Sequence, residues 1–266
     1  PGDAVSYDDA AAPGATRALL TALDTEKHKL SADACEFMQA CSAGIPEHIV
    51  DGERQDVENT LAVNTLLQTE KYGTPLYVYS KSTIAGHYTR LDAALAKLDH
   101  LICFAVKANS NLAVLNTIAK LGGGFDIVSA GELYRVIKAG GDPAKCTFAG
   151  VGKTRDEIEY ALKQGIYCFN AESEAELHYI NQVAGELGMQ APVAVRVNPN
   201  VDAKTHAKIS TGKSENKFGI PISRAREVYA RAAKLPGIEV TGADMHIGSQ
   251  ITDLSKMETA FRILAE

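Results

Sequence analysis

Lys107 closes the apolar run Ile102-Cys103-Phe104-Ala105-Val106. An amine emerging from such a run is partly desolvated, which lowers its pKa and makes it a nucleophile able to form a Schiff base. The competing reading is an ordinary solvated lysine at a strand end. His246 lies in Ala243-Asp244-Met245-His246-Ile247-Gly248-Ser249-Gln250. An imidazole at a strand end can stack on a planar cofactor, exchange protons or bind a metal; it can equally be a satisfied core histidine. Ser249 follows Gly248, where the missing side chain permits close backbone approach, so its hydroxyl could donate to a phosphate. Asp126 stands just inside the run Phe125–Val128 and points either into a cleft or to solvent.

Two tempting phosphate motifs fail on context. Gly122-Gly123-Gly124 ends a helical pattern and precedes a strand, so it reads as a helix stop and turn on the face away from any site. Gly212-Lys213-Ser214 has Ala207 where a Walker loop needs its first glycine, and it sits in a long connection rather than a direct strand-to-helix turn. Long connections in compact domains are often functional, so the segment from Ile209 to Gly219 is kept as a candidate.

Short apolar runs recur along the chain at Leu101–Val106, Phe125–Val128, Cys146–Ala149, Ile166–Phe169, Val193–Val197 and Val240–Ile247. Helical patterns separate them. Ser129…Glu132, Thr154…Glu157 and Ser173…Glu176 have capping-box spacing. Gly122, Gly140, Gly165 and Gly188 close helices, and Pro221 with Ser223 opens one. Strand–helix alternation at this spacing implies parallel strands joined by right-handed crossovers. Polar residues follow the strands: Lys107 and Asn109, Asn170 and Glu172, Asn198 and Asn200, then His246. A site gathered from several strand ends is the pattern of a (β/α)8 TIM-type barrel rather than a doubly wound sheet. The fold class expected is therefore α/β, an incomplete barrel with about six βα units.

Upstream, Tyr72-Gly73-Thr74-Pro75 is a turn signal, Leu76–Tyr79 a strand signal, and a helix is expected from Ser82 to Leu98 with Ser82 or Thr83 as cap. Residues 1–46 read as an extension without a chemical motif. Residues 47–80 read as a contribution to a second, β-rich domain, and residues 81–266 as the barrel part.

Composition narrows the class. The 266 residues are 45% hydrophobic and 23% charged, as in ordinary globular proteins. A net charge of −6 argues against nucleic acid as a partner. No apolar run approaches a membrane span. The five cysteines, Cys35, Cys41, Cys103, Cys146 and Cys168, suit neither a disulfide framework nor a zinc site. Cys103, Cys146 and Cys168 sit in apolar, strand-like runs and read as small buried hydrophobes of a reducing compartment. The opening Pro1-Gly2-Asp3 lacks the basic start and apolar core of a secretory signal. A cytoplasmic location and no metal are expected.

An ordered set of motifs adds to this reading. Tyr72-Gly73-Thr74-Pro75-Leu76-Tyr77-Val78-Tyr79, Phe104-Ala105-Val106-Lys107-Ala108-Asn109, Gly124-Phe125-Asp126-Ile127-Val128-Ser129-Ala130-Gly131-Glu132, Arg196-Val197-Asn198-Pro199, Ser210-Thr211-Gly212, Asn216-Lys217-Phe218-Gly219 and His246-Ile247-Gly248-Ser249-Gln250 occur in this order. Together they resemble the diaminopimelate decarboxylases, pyridoxal 5'-phosphate enzymes of the alanine racemase and ornithine decarboxylase fold type, over residues 48–266. The resemblance implies that Lys107 holds the cofactor and that His246 stacks on its ring. It makes Ser249 a phosphate-side contact and places Asp126, Glu132 and Arg196 around lysine and ring. Ser210, Thr211 and Gly212 would form a lid over a small amino-acid substrate. The implied reaction is decarboxylation of meso-2,6-diaminopimelate to L-lysine and CO2, by a homodimer in the full-length enzyme. The family's C-terminal β-domain and its phosphate loop are not in the sequence, so a partial, weakly active or inactive chain is expected. A related amino-acid racemase and a non-catalytic pyridoxal-phosphate-binding protein are the alternatives.

Overall fold

In the computed structural model the described residues are 71–201, 218–249, 251 and 254–265. Of these, the residues up to His87 fall in one compact unit and those from Tyr88 onward in another. Leu76–Tyr79 forms no strand, which corrects the expectation from its aromatic and β-branched residues. Such residues favour strands only where neighbouring strands pack their side chains. No strand pairs with them among the described residues, and Tyr77 stays 86% exposed. Helix α1 runs Lys81–Leu95, ending short of Leu98. Its first turn is capped by Ser80, not Ser82 or Thr83: Ser80 Oγ accepts the Thr83 N–H at 3.2 Å.

From β1 (Cys103–Ala105) the chain alternates as the apolar runs require. The order is α2 (Leu112–Lys120), β2 (Gly124–Ile127), α3 (Ala130–Lys138), β3 (Cys146–Phe148), α4 (Arg155–Gln164), β4 (Cys168–Ala171), α5 (Glu174–Glu186) and β5 (Ala191–Asn198). A two-residue strand, β6 (Ile220–Pro221), precedes α6 (Ile222–Ala232); β7 (Ile238–Asp244) and α7 (Leu254–Ala265) complete the series. Every pairing is parallel. Strands β1 to β5 lie in chain order, β7 flanks β5, and β6 pairs only with Val197 and Asn198 at its end. The architecture is α/β, a barrel-type sheet that does not close. Among the described residues β1 and β7 have a strand on one side only.

Period-two alternation sorts the strand residues. Phe125, Ile127, Phe148, Phe169 and Val193 are fully buried. The rings of Phe148 and Phe169 stack at 5.8 Å. Helices supply the other half of this layer through Leu133 and Val136 of α3, Ile158, Ala161 and Leu162 of α4, and Leu177, Ile180 and Val183 of α5. Burying each large apolar side chain contributes on the order of 1.5–3 kcal/mol. A smaller cluster of Val201, Ile247 and Ala260 seats α7.

Side-chain caps fix where α2 to α5 begin. Thr154 and Glu157 form a complete capping box. Ser129 and Ser173 accept the N–H of Glu132 and Glu176. Those two glutamates reach one residue further back, to the N–H of Val128 (2.7 Å) and Glu172 (2.6 Å). Gly165 ends α4 at φ 68°, a conformation open to glycine without steric penalty. Among the described residues no helix is long and apolar enough to cross a membrane.

Candidate functional site

The strand residues between the buried ones point to the opposite face. Registers align Asp126 with Thr147, Asn170 with Ala194, and Arg196 with Asp244. All six line a cleft of about 660 Å³ at the C-terminal ends of the strands, within the size range of small-ligand sites.

Lys107 enters this cleft from a short 3-10 turn, Val106–Ala108, directly after β1. Val106 is fully buried and anchors the turn. Lys107 itself is exposed, so the partial desolvation expected from its apolar run is not present. His246 and Ser249 reach the same cleft from the segment after β7. Between them Gly248 has φ 150°, a backbone state that side chains disfavour. Lys107, Asp126, Arg196, His246 and Ser249 thus share one cleft. Glu132 does not line it; its carboxylate serves the cap of α3. Ser210, Thr211 and Gly212 lie outside the described residues.

Burial sets the electrostatics. It raises the Asp126 carboxyl above the usual range, against the pull of the Lys107 charge and the Thr147 hydroxyl, which donates at 3.4 Å. Burial likewise raises Asp244, opposed by Arg196. It lowers His246, and the cations Arg196 and Lys107 push the same way, so the imidazole is neutral at pH 7. Two thiols on the cleft wall are pushed up by burial, Cys103 to about 11 and Cys168 to about 12. Buried Cys146 rises to about 12 as well. Cys146 and Cys168 are buried as expected of small hydrophobes, and Cys103 is half-buried.

Charged side chains brace the cleft in pairs. Arg196 Nη1 donates to both Glu172 oxygens, at 2.8 and 2.7 Å, and both side chains are largely buried. Lys153 Nζ pairs with Glu176 at 2.9 Å. Sequence reasoning placed Glu172 at a strand end without finding its partner, and it missed Asp244 and Lys153 altogether. The signal for Asp244 is its position two residues before His246. Lys153 gave none, because Gly-Val-Gly-Lys reads as a solvated loop.

Comparison with known proteins agrees with this geometry. The family described as pyridoxal-dependent decarboxylase, pyridoxal binding domain, matches residues 81–266. The chain belongs to that family. A diaminopimelate decarboxylase of Pseudomonas aeruginosa is 62% identical over 185 residues, which cover 70% of this chain and 45% of that protein. One of Vibrio cholerae is 58% identical over 196 residues, 73% of this chain and 47% of that protein. The crystal structure of diaminopimelate decarboxylase from Helicobacter pylori complexed with L-lysine superposes with a TM-score of 0.73 at 43% identity. That match covers 76% of this chain and 51% of the other. The chain therefore spans about half the length of the curated relatives it matches. The pyridoxal cofactor expected from the sequence is the one the family is described by.

Proposed function

We propose that this chain forms the cofactor-holding side of a diaminopimelate decarboxylase, which converts meso-2,6-diaminopimelate to L-lysine and CO2. The observation that carries the reading is the convergence of Lys107, Asp126, Arg196, His246 and Ser249 on one cleft. The high identity to diaminopimelate decarboxylases supports diaminopimelate as the substrate.

The donor set fits pyridoxal 5'-phosphate. Lys107 supplies an amine for the aldehyde carbon. His246, kept neutral by burial and by two nearby cations, offers a flat uncharged face for the ring. Ser249, after the backbone turn at Gly248, supplies a hydroxyl for the phosphate. The cofactor, when bound, supplies an electron sink for the pair left behind as the carboxylate departs. The protein's own part is proton handling and orientation. Asp126 lines the same cleft and feels the Lys107 charge, so it is the carboxyl proposed to act beside that amine. Arg196, clamped by Glu172, keeps a fixed positive charge on the wall. Ser210, Thr211 and Gly212 remain the assigned lid. Residues 47–80 are proposed to contribute to a second, β-rich domain, and residues 1–46 to be an extension of unknown role. A homodimer in the cytoplasm is the assembly and location this reading carries.

Borohydride reduction after incubation with pyridoxal phosphate, followed by peptide mapping, tests the reading. The label is expected on Lys107 and absent from Lys107→Ala. Prior addition of meso-diaminopimelate should remove it, because the substrate amine competes for the same carbon. A label on another lysine, or none, overturns the assignment. A label that diaminopimelate leaves in place overturns the substrate.

A further inference from the structure

Lys153 is the most deeply buried cation described, with 1% of its side chain exposed. A buried ammonium needs acceptors for all three protons. It has them: Gly150 O at 2.7 Å, Asn170 O at 2.8 Å and Glu176 Oε1 at 2.9 Å. It also stands over the Phe148 ring at 5.6 Å. Lys153 lies on the connection after β3, Asn170 on β4 and Glu176 on α5, so one amine ties three elements at the rim of the cleft.

Two of its partners go on to the same residue. Glu176 uses its second oxygen, Oε2, to accept the Glu172 N–H at 2.6 Å. Gly150, whose carbonyl Lys153 holds, donates its own N–H to Glu172 Oε1 at 3.3 Å. One route therefore fixes the Glu172 backbone and the other its carboxylate. Glu172 in turn holds Arg196 through both oxygens. We propose that Lys153 is a positioning residue that, through Gly150 and Glu176, sets Glu172 and hence the Arg196 guanidinium on the cleft wall. Lys153 is not among the residues lining the cleft, so it acts only through these neighbours. The geometric claim stands on the chain alone; its consequence for cofactor binding rests on the function proposed above.

Two measurements on the full chain separate these levels. The first needs no cofactor. Phenylglyoxal modifies accessible guanidinium groups, and peptide mapping reads the rate at Arg196 against exposed Arg262 as internal reference. In Lys153→Met, Arg196 should react about tenfold faster relative to Arg262, the order expected when a hydrogen bond to a charged group is lost. Glu176→Gln keeps the volume but forces its amide against either Lys153 or the Glu172 N–H, and should show the same direction. Lys153→Met combined with Glu172→Gln should add little beyond Glu172→Gln, because both break one line of contacts. Unchanged relative reactivity of Arg196 in Lys153→Met and Glu176→Gln overturns the proposal, as does full additivity in the double variant. The second measurement is the affinity for pyridoxal phosphate, expected to fall about tenfold in the same two variants. If the unaltered chain binds no cofactor, the functional reading fails while the Arg196 result still decides the positioning role. If Arg196 loosens and affinity is unchanged, the link from Arg196 to the cofactor is wrong.

Discussion

Strands β5 and β7 are neighbours in one sheet and pair over six positions, yet they live in different surroundings. Of the eight β5 residues only Pro192 and Arg196 are more than slightly exposed. Of the seven in β7 only Ile238 is buried, and Glu239 through Ala243 are exposed. Strand β5 has β4 on one edge and β7 on the other; among the described residues β7 has β5 alone. A ladder of hydrogen bonds satisfies a backbone but does not bury its side chains. Burial needs packing across both faces and both edges. The two strands bring Arg196 and Asp244 side by side. Arg196 thus stands on the firmly packed part of the sheet, while Asp244, His246 and Ser249 follow from its open edge.

The largest effect should come from testing that difference in packing directly. Phe169→Ala on β4 removes a fully buried ring stacked on Phe148. It should destabilise the chain by about 3–5 kcal/mol in urea unfolding. Val240→Ala on β7, at a residue 36% exposed, should cost about 1 kcal/mol or less. Equal losses at the two positions would mean that β7 is as tightly packed as β4, and the contrast would fail.

A smaller effect should appear where the two strands are tied together. The Tyr229 hydroxyl of α6 lies 3.1 Å from Val195 O on β5 and 2.9 Å from Gly242 O on β7. It has one proton, which it donates to one carbonyl at a time. Tyr229→Phe should lower stability by about 1 kcal/mol and speed amide hydrogen exchange in β7 more than in β5. Exchange that rises equally in both strands would show that this hydroxyl does not hold the open edge in place.

The same contrast explains what could be read from the residues. Strands β1 to β5 and β7 each fall on an apolar run, and the helices between β1 and β5 start at local caps. Both signals are contained in a few consecutive residues. Thr154 and Glu157 behaved as their spacing demands, whereas Glu132 and Glu176 reached past the cap to Val128 and Glu172. Spacing fixes which turn a side chain serves, not which of two adjacent N–H groups is nearer. Lys153 was invisible because its acceptors lie 17 and 23 residues onward as well as three residues back. Leu76–Tyr79 misled because strand propensity presumes a neighbouring strand. Lys107 was placed at the cleft by its run, but its exposure depends on what covers the far side. No property of residues 102–107 carries that information.

The smallest effects concern the two raised carboxyls, one on each part of the sheet. Asp126 on β2 and Asp244 at the end of β7 both have native pKa values above the ordinary aspartate range, with burial the first cause in each. A carboxyl raised in the native state binds its proton more tightly there than in the unfolded chain. Its ionisation therefore removes stability between the unfolded value, about 4, and the raised native value, and the loss is complete above the latter. Asn keeps the shape and stays neutral. Asp126→Asn and Asp244→Asn should each be more stable than the parent at neutral pH, by about 1 kcal/mol or less. That advantage should shrink as pH falls through the native value and vanish below the unfolded one. The opposing cations are Lys107 at Asp126 and Arg196 at Asp244. Urea unfolding at several pH values reads both variants. If Asp244→Asn is less stable than the parent at neutral pH while Asp126→Asn is more stable, attraction to Arg196 outweighs burial at the open edge. In that event β7 is anchored by charge where β2 is anchored by packing.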